Sequence, residues 1–213
     1  EEIDLYFGGD LNNQITACYY YANHLHRPFI GLYSACSTIG LALANASIMI
    51  ENHNIHSAMA CTVSHNATAE RQFRYPVEYG APKPHTATFT TTGAVSTLLS
   101  KNYSKIRLES ATIGVPVDLG VVEANNMGAA MAPAAASTIA THLATLKRDV
   151  NYYDLILTGD LGVYGKEILI EYLKQGGIDI SRNYNDCGLI LYDRERQPVY
   201  AGASGPSSSA LVF

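Results

Sequence analysis

The sequence lacks long apolar runs, basic runs and a targeting signal, and each absence excludes a class of protein. No stretch reaches the roughly 20 apolar residues that a membrane-spanning helix needs. Residues 1–30 contain no cationic segment followed by an apolar one, which is the pattern of a signal peptide. The net charge of −5, without any cluster of lysine or arginine, argues against nucleic acid as a partner. We therefore expect a soluble, intracellular protein.

Paired cysteines and metal-binding spacings are missing as well. The widely spaced cysteines form no CxxC pair; they are Cys18, Cys36, Cys61 and Cys187. This spacing indicates reduced thiols rather than a disulfide framework or a zinc site. His53 and His56 stand in the polar stretch HNIH without an obvious third ligand, so we interpret them as surface loop residues and predict no metal site.

Strand-like and helix-like runs alternate along the chain, which predicts an α/β fold with mostly parallel strands. The predicted strands are residues 3–8, 29–33, 57–63, 86–100, 106–114, 154–158, 187–192 and 198–203. The predicted helices are residues 13–26, 38–52, 131–148 and 166–175. The last two strands, joined by DRERQ, are expected to form a hairpin.

Two of the predicted helices, residues 38–52 and 131–148, carry small apolar side chains on nearly every face. A helix that is apolar all round is buried on all sides. We expect the two to pack together in a central layer between two sheets, with Pro133 in the first turn of the second helix. Two similar α/β halves, residues 1–117 and 118–213, would meet at this layer.

Cys36 stands where a short apolar strand turns into a helix, in PFIGLYSACSTIGLALANASIMI. At a helix N-terminus the unpaired N–H groups and the helix dipole can lower the pKa of a thiol. The same groups can bind a carboxylate. Free cysteine is also among the most buried residue types. From the local sequence, Cys36 is a nucleophile, part of an anion site or a core residue.

A second polar group follows a later predicted strand. His65 comes just after a strand end, where α/β sheets place their sites. Arg71 and Arg74 lie shortly afterwards, and the planar guanidinium group pairs with carboxylates through two hydrogen bonds. The alternative interpretation is an internal ion-pair network with Glu70 and Glu78 that holds the loop in place.

Six motifs give the sequence a specific resemblance. SHNATAERQFRYPVEYG, YSACST, NNMGAAMAPAA, YYDLILTGDLG, NDCGLILY and VYAGASG resemble the stage V sporulation protein AD family over nearly all 213 residues. The resemblance implies a thiolase-like α/β fold, an αβαβα stack of two similar halves with buried central helices. Members are longer at both ends, so we expect this chain to lack the opening strand and helix of the first half and the closing elements of the second.

The resemblance also implies a biological role and partners. Members bind pyridine-2,6-dicarboxylic acid (dipicolinic acid) and are needed for its uptake into the developing spore, beside membrane proteins of the SpoVA operon. Whether calcium accompanies the ligand stays open. The fold usually buries one sheet edge in a homodimer, and the family is held peripherally at the inner membrane of the spore through its partners.

The resemblance implies that this chain is not catalytic. In thiolase-like enzymes the position of Cys36 holds the acylated nucleophile, and the place of its partner histidine reads Thr158, Gly159 and Asp160 here. An aspartate anion would oppose the negative charge that develops on an acyl group. The late loop GASGPSSSA carries serines and a proline where the family often has cysteines. We expect a vestigial nucleophile position, no cofactor and a non-catalytic binding protein.

Two alternatives remain open. In the first, the chain is an acyl-transfer enzyme that uses Cys36 and coenzyme A thioesters, with His65 in the role of the missing histidine. In the second, it is a degenerate copy that serves as an interaction surface.

If the chain is a binding protein, one carboxylate of the ligand would pair with Arg71 or Arg74, and the other with the N–H groups of residues 36–38. The predicted ligand-binding residues are Cys36, Ser37, His65, Arg71, Arg74, Asp160 and Ser204.

Overall fold

Strands and helices alternate along the chain, as the apolar pattern predicts. The computed structural model describes residues 2–52 and 55–213, so His53 lies outside the described residues. The strands are β1 (Leu5–Asp10), β2 (Phe29–Leu32), β3 (Ser57–Ser64), β4 (Phe89–Thr90), β5 (Gly93–Ser100), β6 (Ile156–Thr158), β7 (Tyr184–Asp186) and β8 (Ala203–Ser204). The α-helices are α1 (Thr16–Leu25), α2 (Thr38–Asn52), α3 (Asn66–Phe73), α4 (Met127–Leu146), α5 (Gly162–Gln175), α6 (Cys187–Ile190) and α7 (Pro206–Val212).

A four-stranded sheet in the order β2-β1-β3-β5 forms the centre of the fold. β1 runs parallel to β2 and β3, whereas β5 pairs with β3 in the antiparallel direction. All six residues of β1 are buried, which is typical of a parallel strand that is covered on both faces. The carboxyl ends of β1, β2 and β3 therefore meet at one edge of the sheet, where α/β folds place their sites.

Helix α2 lies on this sheet through its smallest side chains. Ala42 and Ala46 are fully buried, and together with Ile50 they pack against β1 and β3. Short side chains bring the helix close to the sheet without leaving a void. The buried core at this contact consists of Leu5, Phe7, Ala42, Ala46, Ile50, Ala58 and Ala60.

Helices α4 and α5 form the second core. A Cβ atom added to Gly165 would lie 2.8 Å from the Cα atom of Gly128, so the two backbones are in direct contact at this point. The predicted pairing of the two small-residue helices is wrong in its main partners: α4 packs chiefly on α5, whereas α2 contacts the central sheet and α7. The buried residues of this core are Ala132, Ala136, Leu161, Leu169, Leu173, Ile180 and Tyr184.

The predicted start of the second small-residue helix is also wrong. Helix α4 begins at Met127, and the side chain of Asn126 caps it by accepting a hydrogen bond from the N–H of Ala129 over 3.4 Å. Pro133 therefore lies inside the helix rather than in its first turn. Asparagine is a strong N-cap residue, and it gives the better indication of the start.

Two predicted strand regions have other structures. Residues 106–114 are irregular, and their polar side chains bond to α4 and the residues after it; Thr112 lies 2.7 Å from the His142 ring, and Glu109 forms an ion pair with Arg148. β-branched composition makes a strand only where another strand pairs with it. The predicted boundary at residue 117 falls in the same irregular stretch, and the division into two halves stays a prediction.

The expected hairpin near the end of the chain is absent from the described residues. Cys187–Ile190 form the short helix α6, and only Ala203–Ser204 are extended, paired in parallel with distant β4. Tyr200 and Gly202 both have positive φ angles, 40° and 119°, which a continuous strand does not allow. The other small sheet pairs β6 with β7.

Candidate functional site

A sharp turn at the carboxyl end of β2 brings Cys36 to the start of a helix. Ala35 has a φ of 43°, in the left-handed region, and Ala35–Ser37 form a 3₁₀ turn that leads into α2. Thr38 holds this turn together, because its hydroxyl group accepts from the N–H of Ser34 (3.2 Å) and donates to the carbonyl of Ala35 (2.7 Å).

The same turn uses most of the donors that were predicted to bind a carboxylate. The N–H of Ser37 donates to the carbonyl of Ser34 over 3.0 Å, and the N–H of Thr38 donates to the carbonyl of Ala35. These two N–H groups are thus already used within the turn, and binding of a ligand carboxylate by the N–H groups of residues 36–38 stays a prediction. Ser37 is exposed, and its hydroxyl group pairs with that of Ser34 at 2.6 Å.

Cys36 lies against Asp160, which follows β6. The Cys36 residue is partly accessible, but its sulfur atom is closely surrounded, and burial raises the pKa of the thiol well above its usual range. The negative charge of Asp160 and the hydrogen bond between the two side chains raise that pKa further. These effects outweigh the favourable position at a helix start, so the Cys36 thiol is protonated at neutral pH.

The carboxyl group of Asp160 is buried beside a glycine of the late loop. The N–H of Gly205 donates to Oδ2 of Asp160 over 3.0 Å, and Gly205 has a φ of 90°, which favours glycine. Burial raises the pKa of Asp160 to about 6, and the neighbouring charge of Asp186 adds to this rise. Hydrogen bonds from Cys36 and Gly205, and the positive charge of Arg74, lower it in part.

Asp186, at the end of β7, holds the segment that carries Asp160. Its carboxylate accepts from the N–H groups of Leu161 (2.9 Å) and Gly162 (3.0 Å) and from the hydroxyl group of Thr158 (2.6 Å). It thus satisfies free donors at the start of α5. The sequence interpretation missed Asp186 and Gly205; because residues 187–192 were predicted as a strand, Asp186 stood before a predicted strand, whereas the structure places it at the end of β7.

Arg74 contributes a positive charge that acts on Cys36 and Asp160. Its guanidinium group makes two hydrogen bonds to the buried Glu70, of 2.5 and 3.1 Å, and a weaker one of 3.4 Å to Thr90. Lys83 also contacts Glu70, at 2.7 Å. The internal ion-pair network that the sequence left open is therefore present around Glu70.

One donor of Arg74 is not used by this network. The Arg74 side chain is only 5% exposed, and its Nη1 atom has no hydrogen-bond partner among the described residues. The guanidinium charge lowers the pKa values of both Cys36 and Asp160, so it acts on this part of the site. Ser204 is buried directly before Gly205. We call Cys36, Arg74, Asp160 and Ser204 the inner cluster.

His65 and Arg71 lie elsewhere. Together with Asp10, they line an open cleft of about 960 Å³ at the carboxyl ends of β1 and β3, and neither Cys36 nor Arg74 belongs to its lining. Arg71 is 66% exposed and forms an ion pair with Glu78. We call this cleft the outer cleft. The structure thus splits the predicted ligand-binding residues between the inner cluster and the outer cleft, with Ser37 in neither.

The described residues offer neither a cluster of metal ligands nor a membrane-spanning helix. Within residues 2–52 and 55–213, no three histidine, cysteine, aspartate or glutamate side chains come together in a way that could hold a metal ion. In this part of the chain, no helix combines the length and the apolar character that crossing a bilayer requires.

The architecture is that of the thiolase-like condensing enzymes. OleA of Xanthomonas campestris with bound cerulenin aligns with a TM-score of 0.67 and 13% identity, over 100% of this chain and 65% of that one. A 3-oxoacyl-(acyl-carrier-protein) synthase III aligns with a TM-score of 0.61 and 12% identity, over 99% of this chain and 68% of that one. At these identities the likeness shows the fold alone, and it confirms the predicted thiolase-like α/β fold.

Within that class, the sequence identifies the family. Residues 1–213 match the family of stage V sporulation protein AD (SpoVAD). The chain is 47% identical over 212 residues to stage V sporulation protein AD of Bacillus subtilis (strain 168), and the match covers 100% of this chain and 62% of that relative. The chain belongs to the stage V sporulation protein AD family, as its motifs predicted, and spans less than two thirds of the length of this relative.

Proposed function

We propose that the inner cluster binds dipicolinic acid without catalysis, and that this binding supports uptake of the acid into the developing spore. The observation that carries the proposal is the buried Nη1 donor of Arg74, which has no hydrogen-bond partner among the described residues. Membership in a sporulation family supports the biological setting. The two carboxylates of the acid are suitable acceptors for such a donor.

The energetics favour an anion at this position. A buried donor without a partner costs about 1–3 kcal/mol, and a carboxylate that accepts from Nη1 of Arg74 removes this cost. The guanidinium group is already oriented by its bonds to Glu70, so binding loses little side-chain entropy. The Cys36 thiol lies beside Asp160, to which its S–H group donates.

The chemistry around Cys36 supports binding rather than acyl transfer. A cysteine nucleophile needs a lowered pKa or an adjacent base, together with donors for the oxyanion. Here burial and Asp160 raise the pKa of Cys36, and the side chain that the thiol contacts is a carboxyl group. The fold, shared with condensing enzymes, keeps acyl transfer as the alternative function. Incubation with an acyl-coenzyme A thioester should leave the mass of the peptide that contains Cys36 unchanged. Rapid acylation of Cys36 would favour acyl transfer instead.

The two arginines provide a matched test of the ligand site. Equilibrium dialysis should show that Arg74→Lys, which keeps the charge but loses the planar group, weakens dipicolinate binding at least about tenfold. Arg71→Lys, in the outer cleft, should bind like the parent protein. Equal affinity of the parent and a folded Arg74→Lys variant would remove the inner cluster from the proposal, and a loss confined to Arg71→Lys would move the site to the outer cleft.

The proposal extends to association and location. β2 is an edge strand of the central sheet with a partly exposed Ile30, and a second copy of the chain can pair with this edge to form a homodimer. Sedimentation should give a dimer whose fraction falls on dilution; a monomer at every concentration would contradict it.

We further propose peripheral attachment to the spore inner membrane through the SpoVA membrane proteins. Flotation with vesicles should require those proteins, and binding to bare vesicles would contradict this route.

A further inference from the structure

A small open cavity lies between the irregular residues 106–114, helix α4 and the start of strand β6. Its volume is about 250 Å³. Aliphatic and polar side chains line it together: Thr112, Thr138, Ile139, His142, Leu143, Tyr153, Leu155 and Ile156. The inner cluster and the outer cleft share no described residue with this lining. Apolar walls with a few placed polar groups are typical of a small-molecule site.

The polar end of this cavity is a chain of hydrogen bonds that starts at Arg148. Nη1 of Arg148 lies 3.1 Å from the hydroxyl oxygen of Tyr153, and that oxygen lies 2.7 Å from Nε2 of His142. Nδ1 of His142 in turn lies 2.7 Å from the hydroxyl oxygen of Thr112. Because a guanidinium group has donors only, it sets the direction of the bonds that follow.

The direction of this chain leaves one donor unused. Arg148 donates to Tyr153, so the single Tyr153 O–H group donates to Nε2 of His142. A neutral His142 then carries its proton on Nδ1 and donates it to Thr112. The hydroxyl proton of Thr112 stays free, since no acceptor for it lies among the residues that the structure describes. The positive charge at the start of the chain polarises these bonds and strengthens the last donor.

Two contacts hold residues 106–114 against α4 beside the cavity. Thr112 bonds to His142, and Gly114 lies so close to Thr138 that a Cβ atom on Gly114 would collide with the Thr138 hydroxyl group. That hydroxyl group donates to a backbone carbonyl within α4 over 3.0 Å. The Thr138 proton is therefore already used, whereas the Thr112 proton is available to a ligand in the cavity.

The lining also indicates the charge of a suitable ligand. Arg148 lies outside the lining; it pairs with Glu109, and its guanidinium carbon lies 4.2 Å from the ring centre of Tyr152. The described residues that line the cavity include no carboxylate, lysine or arginine. A charged ligand would lose hydration there without gaining an ionic partner. The cavity therefore favours a neutral molecule.

We propose that this cavity binds a small neutral ring molecule with one hydrogen-bond acceptor, such as a ketone oxygen, and that Thr112 donates to the acceptor. A volume of about 250 Å³ is enough for a single ring, because a cavity of about 150 Å³ holds benzene. The ring would cover Leu155, which is 57% exposed, and contact Ile139 and Leu143. The site takes an uncharged ligand, so it goes beyond the dicarboxylate binding proposed for the inner cluster.

A pair of probes with the same ring tests this proposal. Ligand-observed NMR titration of the protein with acetophenone should show saturable binding. Ethylbenzene, which has the same shape without an acceptor, should bind about three- to tenfold more weakly, since it gains no hydrogen bond. In the same protein, the ring-nitrogen shifts of a neutral His142 should report a proton on Nδ1.

Thr112→Val is the matched variant, because it keeps the branched shape but removes the donor. This variant should bind the two probes equally, whereas Thr141→Val, on the exposed face of α4, should keep the preference for acetophenone. Ile139→Phe should fill the cavity and abolish binding of both probes. If Ile139→Phe does not fold, as judged by circular dichroism, a nuclear Overhauser effect between acetophenone and the His142 ring in the parent protein locates the probe instead.

The contrary outcomes are specific. Equal binding of the two probes by the parent protein, or an unchanged preference in Thr112→Val, overturns the role of Thr112. Absence of saturable acetophenone binding by a folded parent protein overturns the site itself, as does binding that persists in a folded Ile139→Phe variant. None of these results bears on dipicolinate binding, so the two proposals fail separately.

Discussion

The N–H of Gly205 donates a 3.0 Å hydrogen bond to the carboxyl group of Asp160. This bond joins the loop after β6 to the loop after β8, although the two residues are 45 positions apart. Cys36 contacts the same carboxyl group from the start of α2. The inner cluster therefore depends on three distant segments, and the charge of Asp160 influences both stability and the reactivity of the Cys36 thiol.

Asp160 should make the stability of the protein depend on pH. Its pKa is about 6 in the folded chain and about 3.9 in an unfolded one, so the folded state holds the proton more tightly. The stabilisation that this gives is present below about pH 4 and is lost as pH rises toward 6, a change of about 3 kcal/mol at most. Urea unfolding should therefore show Asp160→Asn gaining stability relative to the parent between about pH 4 and 7. A constant difference across this range would contradict the pKa shift.

Cys36 should react slowly with alkylating reagents at neutral pH. Its raised pKa leaves little thiolate, which is the reactive form. Peptide mass spectrometry after iodoacetamide treatment should show a rate that still rises at about pH 9, and a faster reaction in Asp160→Asn because the charge that raises the pKa is gone. Fast labelling with a plateau below about pH 7 would indicate an activated thiolate instead.

The buried ion pair of Glu70 and Arg74 should matter far more to stability than the exposed pair of Arg71 and Glu78. Arg74→Met removes the main partner of a carboxylate that is 2% exposed and should lower the free energy of unfolding by about 3 kcal/mol. Arg71→Met removes an exposed pair and should cost less than about 1 kcal/mol. Similar losses in the two variants, measured by urea unfolding, would contradict the burial of the Glu70 network.

The contact between α4 and α5 should not accept a side chain at Gly165. A methyl group there would lie 2.8 Å from the Cα atom of Gly128, so the helices must separate, at a cost of about 1–3 kcal/mol in unfolding free energy. Gly40, in α2, has open space around it, and Gly40→Ala should stabilise the protein by about 0.5–1 kcal/mol. Thermal unfolding of the two variants tests the pair; a Gly165→Ala variant as stable as the parent would show that this contact is looser.

The sequence predicted the elements that carry their own local signal. Helix α2 begins and ends at the predicted residues because small apolar side chains and a strand–turn–helix pattern define it. All four residues of the inner cluster were among the predicted ligand-binding residues, but Asp186 and Gly205, which hold Asp160 and its segment in place, were not. Residues 106–114 show the limit, because a β-branched run becomes a strand only when another strand lies beside it.

The remaining parts of the site depend on contacts that no short sequence stretch encodes. Arg71 and Arg74 are three positions apart and look equivalent in the sequence, but α3 buries the second against Glu70 and leaves the first in the outer cleft. Asp186 acts through bonds to Leu161 and Gly162, which lie more than 20 positions earlier. Only the folded arrangement reveals these long-range partners.

Titration calorimetry of this chain with dipicolinic acid tests the central proposal most directly. Benzoic acid serves as the monocarboxylate control, Cys36→Ala as the variant, and each titration is run with and without calcium. We predict saturable binding of dipicolinate, weaker binding of benzoate, and reduced affinity in Cys36→Ala. No heat of binding from a chain shown to be folded by circular dichroism, or equal binding of benzoate, would contradict a dicarboxylate site at the inner cluster.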